Sequence, residues 1–143
     1  MEQSVNYGLR KIGLPTIVVE YEGKNLLMML DTGSNDNFLA PIVYENFGNE
    51  LKVLKSDGSV LGANGVTNGI ITVEMPIKIN GDEFLQQFLV LPNSESFDKM
   101  EAEAHVQVHG VIGTRFMCEQ GWVIDFVNQK VYTKQNVKEE EMI

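Results

Sequence analysis

The chain has 143 residues, a hydrophobic share of 43%, a charged share of 22% and a formal net charge of -9. This length fits a single domain, residues 1–143, with one core, and the composition excludes disordered, collagenous and coiled-coil proteins. The acidic surface argues against nucleic acid and anionic membranes as partners, because both are negatively charged.

The sequence contains neither an apolar run as long as a membrane span nor a basic segment followed by an apolar one at its start. The single cysteine, Cys118, cannot form an intramolecular disulfide, which fits a reducing compartment. We therefore expect a cytoplasmic protein with no membrane partner, although processing can remove a signal or an anchor. We expect Cys118 itself to be a small core residue.

The first third of the chain predicts an arm, a hairpin and a short helix. Residues 1–13 alternate weakly and are interpreted as a terminal strand or arm. Thr16–Tyr21 and Leu26–Leu30 flank a glycine-containing turn and predict a hairpin that delivers Asp31 at its end. Pro41–Phe47 predicts one or two helical turns.

The rest of the chain continues as strands separated by turns. Strands are predicted at 51–54, 59–61, 71–79, 84–91, 106–113, 122–127 and 130–133. Pro76 predicts an edge position or a bulge, and residues 116–120 a helical turn. Residues 92–107, acidic with few large apolar side chains, predict an inserted surface loop or short helix, and residues 133–143 a solvated acidic tail.

One stretch combines a buried strand with an ionisable group. Five apolar residues, Leu26–Leu30, run directly into Asp31, Thr32, Gly33 and Ser34. A carboxylate leaving a buried strand loses solvation unless it gains hydrogen-bond donors. Gly33 allows backbone N–H groups to turn towards the carboxylate, and the Thr32 hydroxyl offers a further hydrogen bond.

The Asp31-Thr32-Gly33 motif after an apolar strand, followed later by an apolar strand into Gly110-Val111-Ile112-Gly113, resembles the retropepsin-like aspartic peptidases. The resemblance extends from about Leu14 to Tyr132. It implies an all-β fold in which residues 14–132 form a small closed barrel of two pseudo-symmetric halves, with one or two short helices. The repeated hairpins of the two halves favour the same architecture.

The resemblance also implies a function, an aspartic endopeptidase with neither metal nor cofactor. Peptide hydrolysis of this kind needs a base and an acid, which two carboxylates sharing one proton supply. Because the chain has one Asp-Thr-Gly, the active species is expected to be a homodimer with two copies of Asp31, acting on a peptide or protein substrate.

The resemblance assigns roles to residues around Asp31. Thr32 would bind Thr32 of the other copy across the dimer axis, and Gly33 would let the substrate backbone approach. Ser34 would donate a hydrogen bond to Asp31 and favour its ionised form. The expected flap tip is Gly62, Ala63, Asn64 and Gly65. The expected second-half loop is Ile112, Gly113 and Thr114.

Several positions depart from the family pattern. Asn35 and Thr114 replace the two partners of a common ion pair, and Arg115 is expected to pair with Asp36 instead. Asn37 replaces a common serine and can still bond the loop. The glutamate-rich tail is a poor strand, which argues against the interleaved terminal sheet of retroviral dimers and for another dimer interface.

Plainer interpretations remain beside these. Asp31 could cap its loop without any chemistry. His105 and His109, on one face of a predicted strand, would lie about 13 Å apart, too far to share a metal ion, so we expect surface histidines. Asp125 has no Thr-Gly after it and is expected to have a structural or edge role. The rival function is a catalytically silent peptide-binding or dimerisation module.

Overall fold

Strands dominate the structure, a computed structural model that describes residues 1–62 and 65–133. The elements in chain order are β1 (Glu2–Ser4), α1 (Asn6–Ile12), β2 (Thr16–Tyr21), β3 (Lys24–Leu30), β4 (Phe38–Leu39), α2 (Pro41–Phe47), a 3-10 turn (Gly48–Glu50), β5 (Lys52–Gly62), β6 (Gly65–Ile79), β7 (Asp82–Val90), α3 (Glu95–Ala104), β8 (Gly110–Ile112), α4 (Thr114–Glu119), β9 (Trp122–Asp125) and β10 (Lys130–Thr133). None of the helices in these two ranges has the length and apolar character needed to span a membrane. The predicted all-β class is confirmed.

Seven strands form one sheet in the order β2-β3-β8-β4-β7-β6-β5. Within it β3–β8 and β4–β7 are parallel pairs, and β8 lies between β3 and β4. One bridge pair, Glu20 with Lys78, connects β6 back to β2. The sheet therefore curls into a barrel whose closure rests on that bridge.

The core lies inside this curled sheet. Along β6 alternate residues are buried, with Val73, Met75 and Ile77 at 0% exposure and Ile79 at 1%. Each such side chain contributes roughly 1.5–3 kcal/mol to stability through burial. A second, smaller cluster lies beneath α3 and contains Ala40, Phe97, Val106, Val108 and Val111.

A separate sheet of three antiparallel strands has the order β1-β10-β9. The chain's own N-terminal strand pairs with β10, with Glu2 opposite Tyr132. Edge-to-face aromatic contacts connect this sheet to the barrel, because Phe116 contacts both Trp122 and Phe84 with centroids 5.3 Å apart. The predicted last hairpin is confirmed.

The N-terminal segment differs from the predicted strand or arm. After β1 the chain forms helix α1, in which Leu9 N–H donates to Val5 O at 3.2 Å. Val5 is fully buried while Tyr7 is 45% exposed, so the side chains do not follow the two-residue alternation of a strand. The hydrogen bond from Leu9 to Val5 has the four-residue spacing of a helix. Gly8 has no room for a side chain, since a Cβ there would lie 2.4 Å from Leu14 O.

Residues 92–107 contain a short helix, one of the two predicted alternatives. Helix α3 occupies Glu95–Ala104 and anchors itself through the buried Phe97. The predicted strand from 106 is wrong in its first half, because regular pairing begins only at Gly110. Val106 and Val108 are nevertheless buried, in the smaller apolar cluster.

The predicted strands at 51–54 and 59–61 form one long strand. β5 runs through both and has register shifts between Val53 and Ser59. Pro76 lies between Glu74, which pairs with β5, and Lys78, which pairs with β2. Pro76 itself pairs only with Leu85 of β7, so it occupies a local gap on the other side of an interior strand and not the predicted edge strand.

Candidate active site

Two parallel strands place Asp31 beside the second-half loop. Leu30 at the end of β3 pairs with Ile112 at the end of β8. The Asp31 N–H donates to the Ile112 carbonyl at 3.0 Å. The structure therefore brings together the two motifs that the sequence singled out, Asp31-Thr32-Gly33 and Ile112-Gly113.

The Asp31 carboxylate is held by its own loop. Gly33 N–H donates to Asp31 Oδ1 at 2.8 Å, and Ser34 N–H donates to the Asp31 carbonyl at 3.2 Å. Asp31 and Thr32 are both exposed. The solvation penalty expected for a carboxylate at the end of a buried strand is therefore not incurred in the single chain.

The Ser34 side chain does not reach Asp31. Its hydroxyl donates to the Asp36 carbonyl at 2.8 Å, so the predicted hydrogen bond to the Asp31 carboxylate is wrong. The Ser34 carbonyl accepts from Thr114 twice, from its N–H at 2.7 Å and from its hydroxyl at 3.1 Å. Ser34 and Thr114 thus join the two loops to each other.

The two loops meet backbone to backbone at Gly113. A Cβ on this residue would lie 2.4 Å from Asp36 O and 2.8 Å from the carbonyl carbon of Asn35. Gly110, at the start of β8, is equally confined, because a Cβ there would lie 2.4 Å from Phe38 O. A side chain at Gly113 would therefore move the Asp31 loop away from β8, and one at Gly110 would move β4 away from β8.

Asn37 connects the loops to the barrel. This residue is 7% exposed, and its Oδ1 accepts from the Gly113 N–H at 3.0 Å. Its Nδ2 donates to Gln87 O at 3.2 Å in β7. The sequence predicts only that Asn37 bonds its own loop. The structure shows that it also bonds the second-half loop and β7, because its amide both accepts and donates hydrogen bonds.

Arg115 pairs with Asp36 as predicted, at 3.2 Å. The two side chains are 67% and 40% exposed, so the pair contributes at most about 1 kcal/mol to the free energy of unfolding.

A pocket of about 380 Å³ beside the Arg115–Asp36 pair is lined by residues that include Gln86 and Gln87. Asp31 is not among its lining residues.

The expected flap is the hairpin of β5 and β6. Its arms pair as far as Gly62 opposite Gly65, and Ala63 and Asn64 lie outside the described residues. Gly65 has φ +101, a conformation that favours glycine. Next to the tip, Leu61 and Val66 pair with each other and are 79% and 63% exposed.

The two histidines have different surroundings. His105 is exposed and ends α3 with φ 57, as a surface histidine. His109 is half-buried, and its Nδ1 accepts from the Leu27 N–H at 2.9 Å, so the expectation of a surface residue is wrong there. Burial lowers the pKa of His109. Its neutral form, protonated at Nε2, therefore bonds the strand that carries Asp31.

Two further residues complete the comparison with the sequence. Asp125 accepts from Asn128 N–H at 3.0 Å and from Asn128 Nδ2 at 2.8 Å. These hydrogen bonds lower the pKa of Asp125 and support its expected structural role.

Cys118 is exposed, so its predicted core position is wrong. Within residues 1–62 and 65–133, no group of three His, Cys, Asp or Glu residues could hold a metal ion.

Comparison with protein families identifies one match over most of these elements. A family model described as aspartyl protease matches residues 17–116, from β2 to the middle of α4 and including Asp31, the flap and Gly113. This bears out the resemblance found in the motifs. Among curated proteins, none matches the chain.

Three solved structures share the fold. A retropepsin-like aspartic protease from Rickettsia conorii has a TM-score of 0.59 at 19% identity, covering 92% of this chain and 86% of that one. The retroviral protease-like domain of Ddi1 from Leishmania major has a TM-score of 0.57 at 11% identity, covering 87% and 90%. The EIAV protease, complexed with the inhibitor HBY-793, has a TM-score of 0.54 at 21% identity, covering 76% and 88%.

Proposed function

This chain belongs to the aspartyl protease family, and from that premise we propose that it is an aspartic endopeptidase that acts as a homodimer. One observation carries the proposal. The Asp31 carboxylate lies exposed at the end of β3, fixed by the Gly33 N–H and beside a second-half loop that ends in Gly113 without an acid. The second carboxylate of a pair must then come from a second copy of the chain.

The proposed chemistry needs only the two carboxylates and one water. Two carboxylates about 3 Å apart cannot both ionise, so the pair shares one proton. The ionised Asp31 removes a proton from the water while the water oxygen adds to the peptide carbonyl carbon. The protonated Asp31 of the second copy gives its proton to the carbonyl oxygen. The C–N bond of the tetrahedral intermediate then breaks as the first Asp31 gives the proton it took from the water to the nitrogen. A hydroxyl of the intermediate returns a proton to the second Asp31, which leaves a carboxylic acid product and restores the shared proton. The mechanism uses neither metal nor cofactor.

The geometry of the loop suits this role. Gly33 fixes Oδ1, and Oδ2 has no hydrogen-bond partner within the described residues. One oxygen is therefore oriented while the other remains available to the water or to the second carboxylate. Thr32, exposed next to Asp31, is proposed to bind its counterpart across the dimer axis.

The proposed substrate is an extended peptide or a protein segment. A hairpin such as the flap can bond the backbone of an extended chain through its own N–H and C=O groups. The exposed Leu61 and Val66 add apolar surface beside the tip. Closure of such a hairpin over Asp31 would exclude water from the reaction.

A peptide-library digest at several pH values tests the proposed activity. Asp31→Asn should abolish cleavage, since an asparagine amide can neither accept a proton from the water nor donate one to the carbonyl oxygen as a carboxyl pair does. Asp82→Asn is a matched control, because Asp82 is an exposed carboxylate at the start of β7, and it should cleave as the wild type does. Equal cleavage by Asp31→Asn and wild type would contradict an enzyme based on Asp31.

A catalytically silent peptide-binding or dimerisation module is the second candidate. It is favoured by the replacement of the family's ion pair with Asn35 and Thr114, and by the exposed Arg115–Asp36 pair that takes its place. This candidate predicts that wild type and Asp31→Asn bind the same peptides equally and cleave none at any pH. The digest, followed by binding measurements on uncleaved peptides, separates the two.

A further inference from the structure

Two cavities adjoin along helix α2. One, of about 170 Å³, lies between α2 and α3, and the other, of about 370 Å³, lies between α2 and the start of β3. Both are lined by Ile42 of α2 and by Gln107, so they form one continuous depression, which we call the α2 groove. Ile42, a large apolar residue, is 39% exposed where the two cavities meet.

The floor of the α2 groove is apolar. Phe97 and Val108 form it beside α3, and Val43 and Leu26 form it beside β3, all four of them buried. Gln107 is exposed at its side, and its N–H and C=O bond no other backbone group within the ranges 1–62 and 65–133. An apolar floor beside a free backbone amide suits an extended peptide segment.

Three carboxylates surround the end of the groove beside α3. Glu45 of α2 and Asp98 and Glu101 of α3 all line the smaller cavity. In the described part of the chain, none of the three forms an ion pair with a basic side chain. The Ser94 hydroxyl donates to the Asp98 carboxylate at 2.6 Å and orients it. This end therefore places negative charge around an apolar floor without a cation of its own.

The opposite end of the groove has the other polarity. Lys24 and His109 line the larger cavity, and the remaining residues around it are uncharged. Because Nδ1 of His109 accepts from the Leu27 N–H, the hydrogen on Nε2 is the one left to donate. A ligand in the groove thus meets acceptors beside α3 and donors beside β3, which favours one direction of binding.

The smaller cavity suits one long basic side chain. Lysine and arginine lay their methylene groups on apolar surface while the charged head reaches a polar rim. Phe97 and Val108 offer that surface, and the three carboxylates offer the rim. A second copy of this chain, with the same net charge of -9, is repelled, whereas a basic peptide is attracted. Charge complementarity therefore selects a basic peptide as the occupant.

The groove is continuous with the candidate active site. Phe97 and Val108 belong to the smaller apolar cluster, which also contacts Met29, two residues before Asp31 and on the same face of the strand. Leu26 in the groove precedes Asp31 by five residues, roughly 17 Å along an extended chain. A peptide bound at Asp31 therefore reaches the groove with about five further residues.

We infer that the α2 groove binds a basic segment of the same peptide whose scissile bond lies at Asp31. The inference rests on the proposed function and narrows its substrates to chains that carry a lysine or arginine next to an apolar residue outside the cleaved stretch. The basic side chain lies against Asp98 and Glu101, and the apolar one lies on Ile42. Since the groove does not touch the scissile bond, its contacts lower KM and leave kcat unchanged.

Matched substrates test this inference. A peptide cleaved in the library digest receives an Arg-Leu-Arg extension at either end, through a Gly-Ser linker of about ten residues that spans about 16–19 Å. The extension at one end should lower KM about 10-fold at low salt without changing kcat, because binding in the groove raises the effective concentration of the scissile bond. A Gln-Ala-Gln extension on the same linker is the control and should change neither constant.

Substitutions on α3 test whether the groove is responsible. Asp98→Asn with Glu101→Gln should reduce the ratio of the KM values for the short and the extended peptide from about 10 to less than about 2. Glu95→Gln with Glu103→Gln is the matched control, because it removes the same charge from exposed positions of the same helix outside the groove, and it should keep the ratio. Equal loss in both variants would assign the effect to overall charge and overturn the inference.

Direct binding separates the groove from the activity. In an Asp31→Asn background, fluorescence anisotropy should show the extended peptide binding about 10-fold more tightly than the short one. This difference, together with no cleavage by the wild type, would uphold the groove and reject the peptidase. Cleavage of both peptides with equal KM and equal binding would overturn the inference and leave the peptidase intact.

Two further outcomes would assign the groove to another occupant and also overturn the inference. A free Arg-Leu-Arg peptide that binds the groove, while the extension leaves KM unchanged, would indicate a separate partner protein. A change of oligomeric state in Asp98→Asn with Glu101→Gln, measured by sedimentation, would indicate a second copy of this chain.

Discussion

The two loops of the candidate site each contain a glycine, but in different surroundings. A Cβ on Gly113 would lie 2.4 Å from the backbone of Asp36, whereas on Gly33 it would meet only Asp31 Oδ1, at 3.2 Å. Gly113 is packed against the backbone of the other loop, whereas Gly33 lies open to solvent. The same strand-to-glycine pattern therefore supports the site in one half and exposes the Asp31 carboxylate in the other.

The largest expected effect separates these glycines. Gly113→Ala should lower the free energy of unfolding by about 3 kcal/mol, because backbone atoms must move to admit the methyl group. Gly33→Ala should cost less than about 1 kcal/mol, because the neighbouring carboxylate lies in solvent and can turn. Urea unfolding of both variants measures the difference. Equal losses would show that the two loops are not packed differently.

Asn37 should show the next largest effect. Asn37→Ala leaves the buried Gly113 N–H without its acceptor, and we expect a loss of about 2 kcal/mol in the free energy of unfolding. Asn35→Ala is a matched control on an exposed amide two residues away, with a change within about 0.5 kcal/mol. If the two variants were equally stable, the bracing of the second-half loop by Asn37 would be disproved.

His109 should make the support of the Asp31 strand dependent on pH. Its pKa is lowered in the folded state by burial, so its contribution is present above the unfolded-state pKa of about 6.5 and is lost as the pH falls through the lowered value. The protonated ring turns an N–H towards the Leu27 N–H. Unfolding measurements from pH 7.5 to 4.5 should show a smaller decline in His109→Gln than in wild type. Parallel declines would exclude His109 as the source.

The smallest effect is expected for the exposed ion pair. Arg115→Ala should change the free energy of unfolding by less than about 0.5 kcal/mol, and the change should shrink in high salt. Comparison with Asp36→Ala and the double variant isolates the pair. A coupling above about 1 kcal/mol would mean that this pair has taken over the structural role of the family's missing one.

The sequence predicted the central feature of the site and missed its surroundings. Two apolar strands ending in Gly33 and Gly113 imply parallel neighbours, and the structure pairs Leu30 with Ile112. The Ser34 hydroxyl was misjudged because a closer acceptor, the Asp36 carbonyl, lies in the same loop. Such a choice between acceptors depends on backbone geometry that sequence patterns do not carry.

The errors outside the site have similar causes. At the start of α1, Val5, Tyr7 and Leu9 fit the two-residue spacing of a strand, and Val5 and Leu9 also fit the four-residue spacing of a helix. The burial of Val5 and the exposure of Tyr7 distinguish the two. His109 follows an apolar alternation that suggests a strand face, yet its ring bonds the backbone of β3. Tertiary packing decides both cases, and local periodicity does not report it.

The central claim is that two copies of Asp31 act together in one site. Mixing wild type with Asp31→Asn in varied proportions, after conditions that let dimers exchange, tests it most directly through the rate of peptide cleavage. The account predicts that activity follows the square of the wild-type fraction, because one substituted chain inactivates the pair. A linear dependence would mean that each chain cleaves alone, and would contradict the shared site.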